Sequence, residues 1–205
     1  MPRVVDHDQR RRELAVAAFA LVRDRGLAAV SVRAVAREAG TSPGALRHYF
    51  PSQAELLHAV MAHVVERATE RVRAVPASGD PAAAALARLS ELLPLDAQRA
   101  AEADVWLAFT AAAVTEPGLG ALRAASDAAV EALCTRSVLA LRGEGAGDPG
   151  SRAAAVHLWA LLDGLALHLR SAPPRTSPAE AEEALRRALE ALAAGRGPFG
   201  GPAPG

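Results

Sequence analysis

The chain has 205 residues, 51% of them hydrophobic and 22% charged, and its formal charges sum to zero. That balance describes a folded chain with a buried core and excludes a low-complexity or disordered one. A single cysteine, Cys134, leaves no intramolecular disulfide and no all-cysteine metal site to build, and its expected role is a small buried side chain. The zero sum hides an asymmetry: residues 1–50 carry nine Arg against five acids, a net +4, and the remainder carries −4. All the basic residues are Arg. A basic end on a neutral chain points to a local polyanion-binding surface.

Alanine and leucine dominate, while aromatics reach only 3%. These are strong helix formers, and the apolar spacing is helical almost throughout, with no persuasive alternating strand. Leu14, Ala18, Leu21 and Val22 predict a first amphipathic helix that stops at Gly26. Ser31 predicts the N-cap of a second, with Val35, Ala36 and Ala39 inward and Gly40 at its end. Ser42-Pro43 predicts a cap and first-turn proline for a short third helix, with Leu46, Tyr49 and Phe50 inward, before Pro51 breaks the chain. Ser52 and Glu55 form a capping-box pattern that opens a long fourth helix to about Arg73.

A Pro/Gly/Ser-containing linker follows at 75–81. Further helices are predicted from Pro81 to about Leu93, Asp96 to Thr115 and Leu119 to Arg142. After a Gly-rich turn at 143–150, with Asp148 and Pro149 as caps, an apolar helix runs to about Arg170. A second capping box, Ser177 with Glu180, opens a last helix to about Ala194, and the Gly/Pro-rich tail 195–205 is expected to be disordered. The predicted fold is therefore all-α, with about nine helices. No uncharged run approaches the roughly 20 residues of a membrane span. Arg10–Arg12 precede an apolar stretch, but Glu13 opens it and Arg23, Asp24 and Arg25 close it. The expectation is a cytoplasmic chain without a secretory leader or membrane partner.

The second and third helices carry the most specific pattern. Small Ala36 and Ala39 allow close helix approach, and Gly40 supplies a permissive turn between them. Outside the third helix remain Ser42, Gly44, Ala45, Arg47 and His48, a narrow face with one long cation and one imidazole. Such a face fits the DNA major groove, where arginine pairs with guanine or phosphate. The N-terminal ends at Ser31 and Ser52 offer backbone N–H groups to phosphates. This constellation is a helix-turn-helix.

The stretch from Gly26 to Leu57, including Ser31-Val-Arg-Ala-Val-Ala-Arg-Glu-Ala-Gly-Thr-Ser-Pro-Gly-Ala-Leu-Arg-His-Tyr-Phe50, resembles the DNA-binding domain of the TetR family of regulators. The resemblance covers roughly residues 10–60, and later only the helical layout and Asp163-Gly-Leu165 match. It implies an all-helical homodimer: a DNA-binding domain at 1–50, and a larger ligand-binding and dimerisation domain at 51–194. It also implies repression of a near-palindromic operator, relieved by a small molecule. The residues expected at double-stranded DNA are Ser31, Arg33, Ser42, Gly44, Ala45, Arg47, His48, Tyr49 and Gln53. Members commonly have Tyr at the position of Arg47 and Lys at that of Gln53. Gln53 can hydrogen-bond a phosphate but adds no charge, a gap that Arg33 and Arg10–Arg12 could fill.

The expected effector pocket uses His58, Met61, Trp106, Phe109, Thr110 and His168, bulky apolar groups with a few polar ones. The expected dimer interface is a bundle built on Leu158, Leu162, Leu165 and Leu169 with Leu185, Leu189 and Leu192. Asp163, one helical turn from Trp159, is expected to make a structural hydrogen bond. No phosphate loop, nucleophile signature or metal-ligand spacing is present, and His58 and His63 are five apart, so neither an enzyme, a metal site nor a cofactor is expected.

Overall fold

The computed structural model describes residues 6–143 and 149–195, and all its regular structure there is helical. The chain forms α1 (His7–Arg25), a 3-10 turn (Leu27–Ala29), α2 (Val32–Glu38), α3 (Pro43–Tyr49), α4 (Gln53–Ala74), α5 (Pro81–Ser90), α6 (Ala97–Ala113), α7 (Pro117–Arg142), α8 (Pro149–Arg170) and α9 (Pro178–Ala193). The predicted Gly-rich turn with its Asp148 cap, and nearly all of the tail, lie outside the described residues.

Local chemistry sets most of the ends. Asp6 caps α1, its carboxylate accepting from the N–H groups of Asp8 and Gln9. Ser31 and Ser42 cap α2 and α3 by accepting from Ala34 and Ala45. Between α2 and α3 the Thr41 N–H closes onto the Ala36 carbonyl at 2.8 Å around Gly40, whose φ of +61° is the left-handed geometry glycine favours. The capping box at Ser177 is complete, with Glu180 returning to the Ser177 N–H. At Ser52 only half of it forms: the hydroxyl accepts from the Glu55 N–H at 3.2 Å, while the Glu55 carboxylate takes the Ser52 hydroxyl instead of its N–H. Helix α5 ends three residues before the predicted Leu93. Pro94 disfavours helix at the preceding residue, and Arg99 donates to the Ser90 carbonyl at the helix end (3.0 Å).

Packing divides the chain into two compact units. The first runs through Arg67 and adds Asp104–Ala124; the second comprises Ala68–Ala103 and the chain from Ala125 onward. This division differs from the one expected at residue 50. The apolar face of α4 (Leu56, Leu57, Val60, Met61 and Val64), together with Val105, Phe109 and Leu119, completes the core that Leu14, Ala18, Leu21, Val35, Leu46 and Phe50 begin. Three short helices alone expose too much apolar surface to stand without such a floor.

The second unit has its own core, in which Leu89, Leu93, Cys134 and Val138 meet the leucines of α8 and α9. Leu158, Leu162, Leu165, Leu169, Leu185, Leu189 and Leu192 are all buried inside this single chain, none more than 8% exposed. They are therefore intrachain core, and this corrects the expectation that they form an intersubunit seam. Their apolar surface is already used where α8 packs on α9, and α5 covers α9 as well.

Candidate nucleic-acid interface

The reading helix α3 is anchored from beneath. Leu46 and Phe50 are fully buried, with Val35 and Ala36 of α2 in the same core. Because these side chains point inward, Ser42, Gly44, Ala45, Arg47 and His48 are left exposed. The Ser42 hydroxyl is committed to its cap on Ala45 at 3.0 Å. A side chain at Gly44 would meet only the Ser42 hydroxyl, 3.9 Å away, so this position leaves room for close approach of a ligand surface. Tyr49 is partly buried; its ring lies 5.5 Å from that of His48 and 4.7 Å from that of His7. On α2, Arg33 is exposed beside the Ser31 cap, and Ser31 itself is exposed.

Three expected phosphate ligands are used otherwise. The Gln53 side-chain amide donates to the Val30 carbonyl at 2.8 Å, tying the start of α4 to the entry of α2. Of the cluster Arg10–Arg12, Arg10 pairs with Glu13 at 2.7 Å. Arg11 donates to the Tyr49 carbonyl at 2.5 Å, with its guanidinium 4.4 Å from the centre of the Phe50 ring. Arg11 thus caps the open C-terminal end of α3 and stacks on its last anchor. Arg12, the third of the cluster, is exposed. Sequence reasoning missed this function of Arg11 because the contact spans 38 residues.

Among the residues expected to line a pocket, five belong to the first unit. Met61 and Phe109 are buried in its core, and Trp106 packs partly exposed against it. The His58 Nε2 lies 3.0 Å from the Gly118 carbonyl, which accepts from it. The Thr110 hydroxyl is buried without a hydrogen-bond partner. His168 belongs to the second unit, exposed near the end of α8. An open cleft of about 550 Å³ in that unit is lined by Pro94, Asp96, Leu169, Arg175, Thr176 and Glu180 and contains none of the expected pocket residues. Nothing in the sequence pattern pointed to it, since its walls come from three separate stretches.

The second unit also holds a charged cluster. Arg71 of α4 grips Glu102 with both terminal nitrogens, at 2.7 and 3.1 Å, and its Nε reaches Glu91 at 3.1 Å. Arg99 completes the cluster at 3.5 Å from Glu91. Glu102 is only 4% exposed. Cys134 is fully buried, and burial first, then the nearby Asp163 charge, pushes its thiol up to about 12, which leaves no thiolate for chemistry. Among the described residues no group of three or more His, Cys, Asp or Glu could hold a metal ion. No helix among them is long and apolar enough to cross a membrane.

An all-helical chain with an anchored, exposed reading helix is a helix-turn-helix regulator in architecture. Residues 14–60 match the family described as bacterial regulatory proteins of the tetR family, and residues 81–194 match the BetI-type transcriptional repressor C-terminal family. The chain is 33% identical over 196 residues to the HTH-type transcriptional regulator PksA of Bacillus subtilis, covering 94% of each. It is 34% identical to BetI of Pseudomonas aeruginosa over 169 residues, 80% of this chain and 83% of that one. A transcriptional regulator from Rhodococcus sp. superposes with a TM-score of 0.80 at 34% identity, covering 90% of this chain and 96% of the other. One from Saccharomonospora viridis, solved with choline, shares the fold with a TM-score of 0.79 at 24% identity, covering 89% and 96%. The chain belongs to the TetR family of DNA-binding transcription regulators and is not an enzyme.

Proposed function

We propose that this regulator is a cytoplasmic repressor that binds a near-palindromic operator as a homodimer and leaves it when a small molecule binds. The observation that carries the operator reading is the exposed Arg47–His48 pair on a helix whose opposite face, Leu46 and Phe50, is fully buried. A fixed helix with a free cationic edge can hold register in the major groove. In this reading residues 1–50 contact DNA and 51–194 sense and dimerise. Ser31, Arg33, Ser42, Gly44, Ala45 and Tyr49 support the contact, and Gln53 acts by holding α2 in place.

For the homodimer, the residues that fit are the outward ones of α8. Val156, Ala160, Gly164 and Leu167 follow one another at helical spacing, and Val156 and Leu167 are 46% and 53% exposed. A small-residue stripe flanked by two exposed aliphatic side chains suits close packing against its own copy. The effector would enter near His58, Trp106 and Thr110, where the buried Thr110 hydroxyl has no hydrogen-bond partner and Trp106, one helical turn away, packs on the core.

Binding of the full chain to DNA flanking its own coding region, followed against salt, tests the reading. Specific binding is expected, with Arg47→Ala weakening it and relaxing base preference, and Arg33→Ala weakening all sequences alike. Equal affinity for scrambled duplex would sink it. Leu167→Asp should yield a monomer by light scattering, and a thermal-shift panel that includes choline should identify molecules that stabilise the protein and release DNA.

A further inference from the structure

The first turn of α1 and the last turn of α3 are brought together by three rings. The His7 ring lies 4.7 Å from Tyr49 at a 34° tilt, and His48 meets the same Tyr49 edge-on at 5.5 Å. His7 and His48 are 6.0 Å apart, also edge-on. The junction is held by a separate strut, because Arg11 binds the Tyr49 carbonyl and stacks on Phe50. Both imidazoles are exposed, and His48 adjoins Arg47 on the outward edge of α3.

We propose that His7 is a DNA-contact residue, forming with His48 an imidazole pair that receives one backbone phosphate and takes up protons as it does so. The proposal rests on the reading that the outward edge of α3 faces DNA. Imidazole is the one side chain whose ordinary titration spans neutral pH. A phosphate beside the two rings favours the charged form of an imidazole, so DNA binding and protonation reinforce each other.

The surrounding charges permit this. On α1 the charged neighbours are Asp6, Asp8, Arg10 and Arg11. The Asp6 carboxylate is engaged by the Asp8 and Gln9 N–H groups, and Arg10 is paired with Glu13. Helix α3 contributes Arg47 and no acid, and α2, packed on α3, contributes Arg33, Arg37 and Glu38. Asp6, Asp8 and Glu38 are the groups that oppose a phosphate there, and the arginines outnumber them. The sign follows: DNA-bound histidines hold their protons to higher pH than free ones, so affinity is greatest at low pH and falls as pH rises.

The test is operator affinity of the full chain by fluorescence anisotropy, at constant salt, from about pH 6 to about pH 8. Wild type should weaken by about tenfold per pH unit for each proton fully linked to binding. His7→Phe keeps a ring on Tyr49 without a titrating nitrogen, and should bind more weakly at low pH with a shallower profile. His7→Lys keeps the charge, and should hold its affinity at high pH with the same shallow profile. Melting of each unbound variant checks the fold, and His7→Gln replaces any that melts early. A His7→Phe profile that overlays wild type, or a pH-independent wild type, overturns the proposal while the DNA reading stands. Wild type that binds its operator no better than scrambled duplex overturns the DNA reading, and the proposal with it.

Discussion

The two compact units are held by different chemistry. In the first, short helices are stitched at their ends by side chains bonded to main chain: Ser31 and Ser42 at N-termini, Gln53 on Val30, and Arg11 on Tyr49. In the second, long helices bury rows of leucine, and the polar tie is a charged cluster of Arg71, Glu91, Glu102 and Arg99. The difference follows from helix length. A seven-residue helix has unsatisfied backbone groups in every turn, so capping is a large share of its stability. A helix of 22 residues satisfies its own backbone over most of its length and is decided by the face it buries.

Three substitutions probe that contrast. Glu102→Ala should have the largest effect, about 3–5 kcal/mol in urea unfolding, because it leaves Arg71 partly buried with its main partner gone. A loss below about 1 kcal/mol, the range of exposed pairs, would mean that the leucines alone hold the second unit. Gln53→Ala should cost less, about 1 kcal/mol, through the loss of one partly buried hydrogen bond to Val30. It should also weaken operator binding by loosening α2, and intact DNA affinity would show that this stitch does not position the reading surface.

The smallest effect belongs to Asp96. Its carboxyl is held below the ordinary range, chiefly by the Arg99 N–H and also by the Arg99 guanidinium. A depressed carboxyl stabilises the fold above the unfolded value of about 4 and loses that contribution as pH falls through the folded one. Stability of wild type and Asp96→Asn, measured against pH, should therefore differ near neutrality and converge in acid. A constant difference would assign the effect to packing instead.

Legibility in the sequence followed the same divide. The caps at Ser31, Ser42 and Ser177 and the turn at Gly40 depend on residues within a few positions of one another, so their spacing alone reported them. Helix α7 begins at Pro117, two residues before the predicted Leu119, because proline suits a first turn. The half-formed box at Ser52 shows where a local pattern is satisfied by a different bond. Residues such as Arg47 and His48 were legible as outward because Leu46 and Phe50 had to point in. The role of His7 was not, since nothing near it in sequence announces Tyr49.

Helical period and capping chemistry act within one or two turns, so an all-helical chain, the helix-turn-helix and the outward edge of its reading helix could be read from neighbouring residues. Packing in three dimensions sets which partners the long-range groups take. It turned Arg11 and Gln53 inward as struts, paired Arg71 with Glu102 across 31 positions, and spent the α8 and α9 leucines on this chain's own core. An apolar stripe states that a face must be covered, since water is excluded from it at a gain proportional to area. It does not state what covers it.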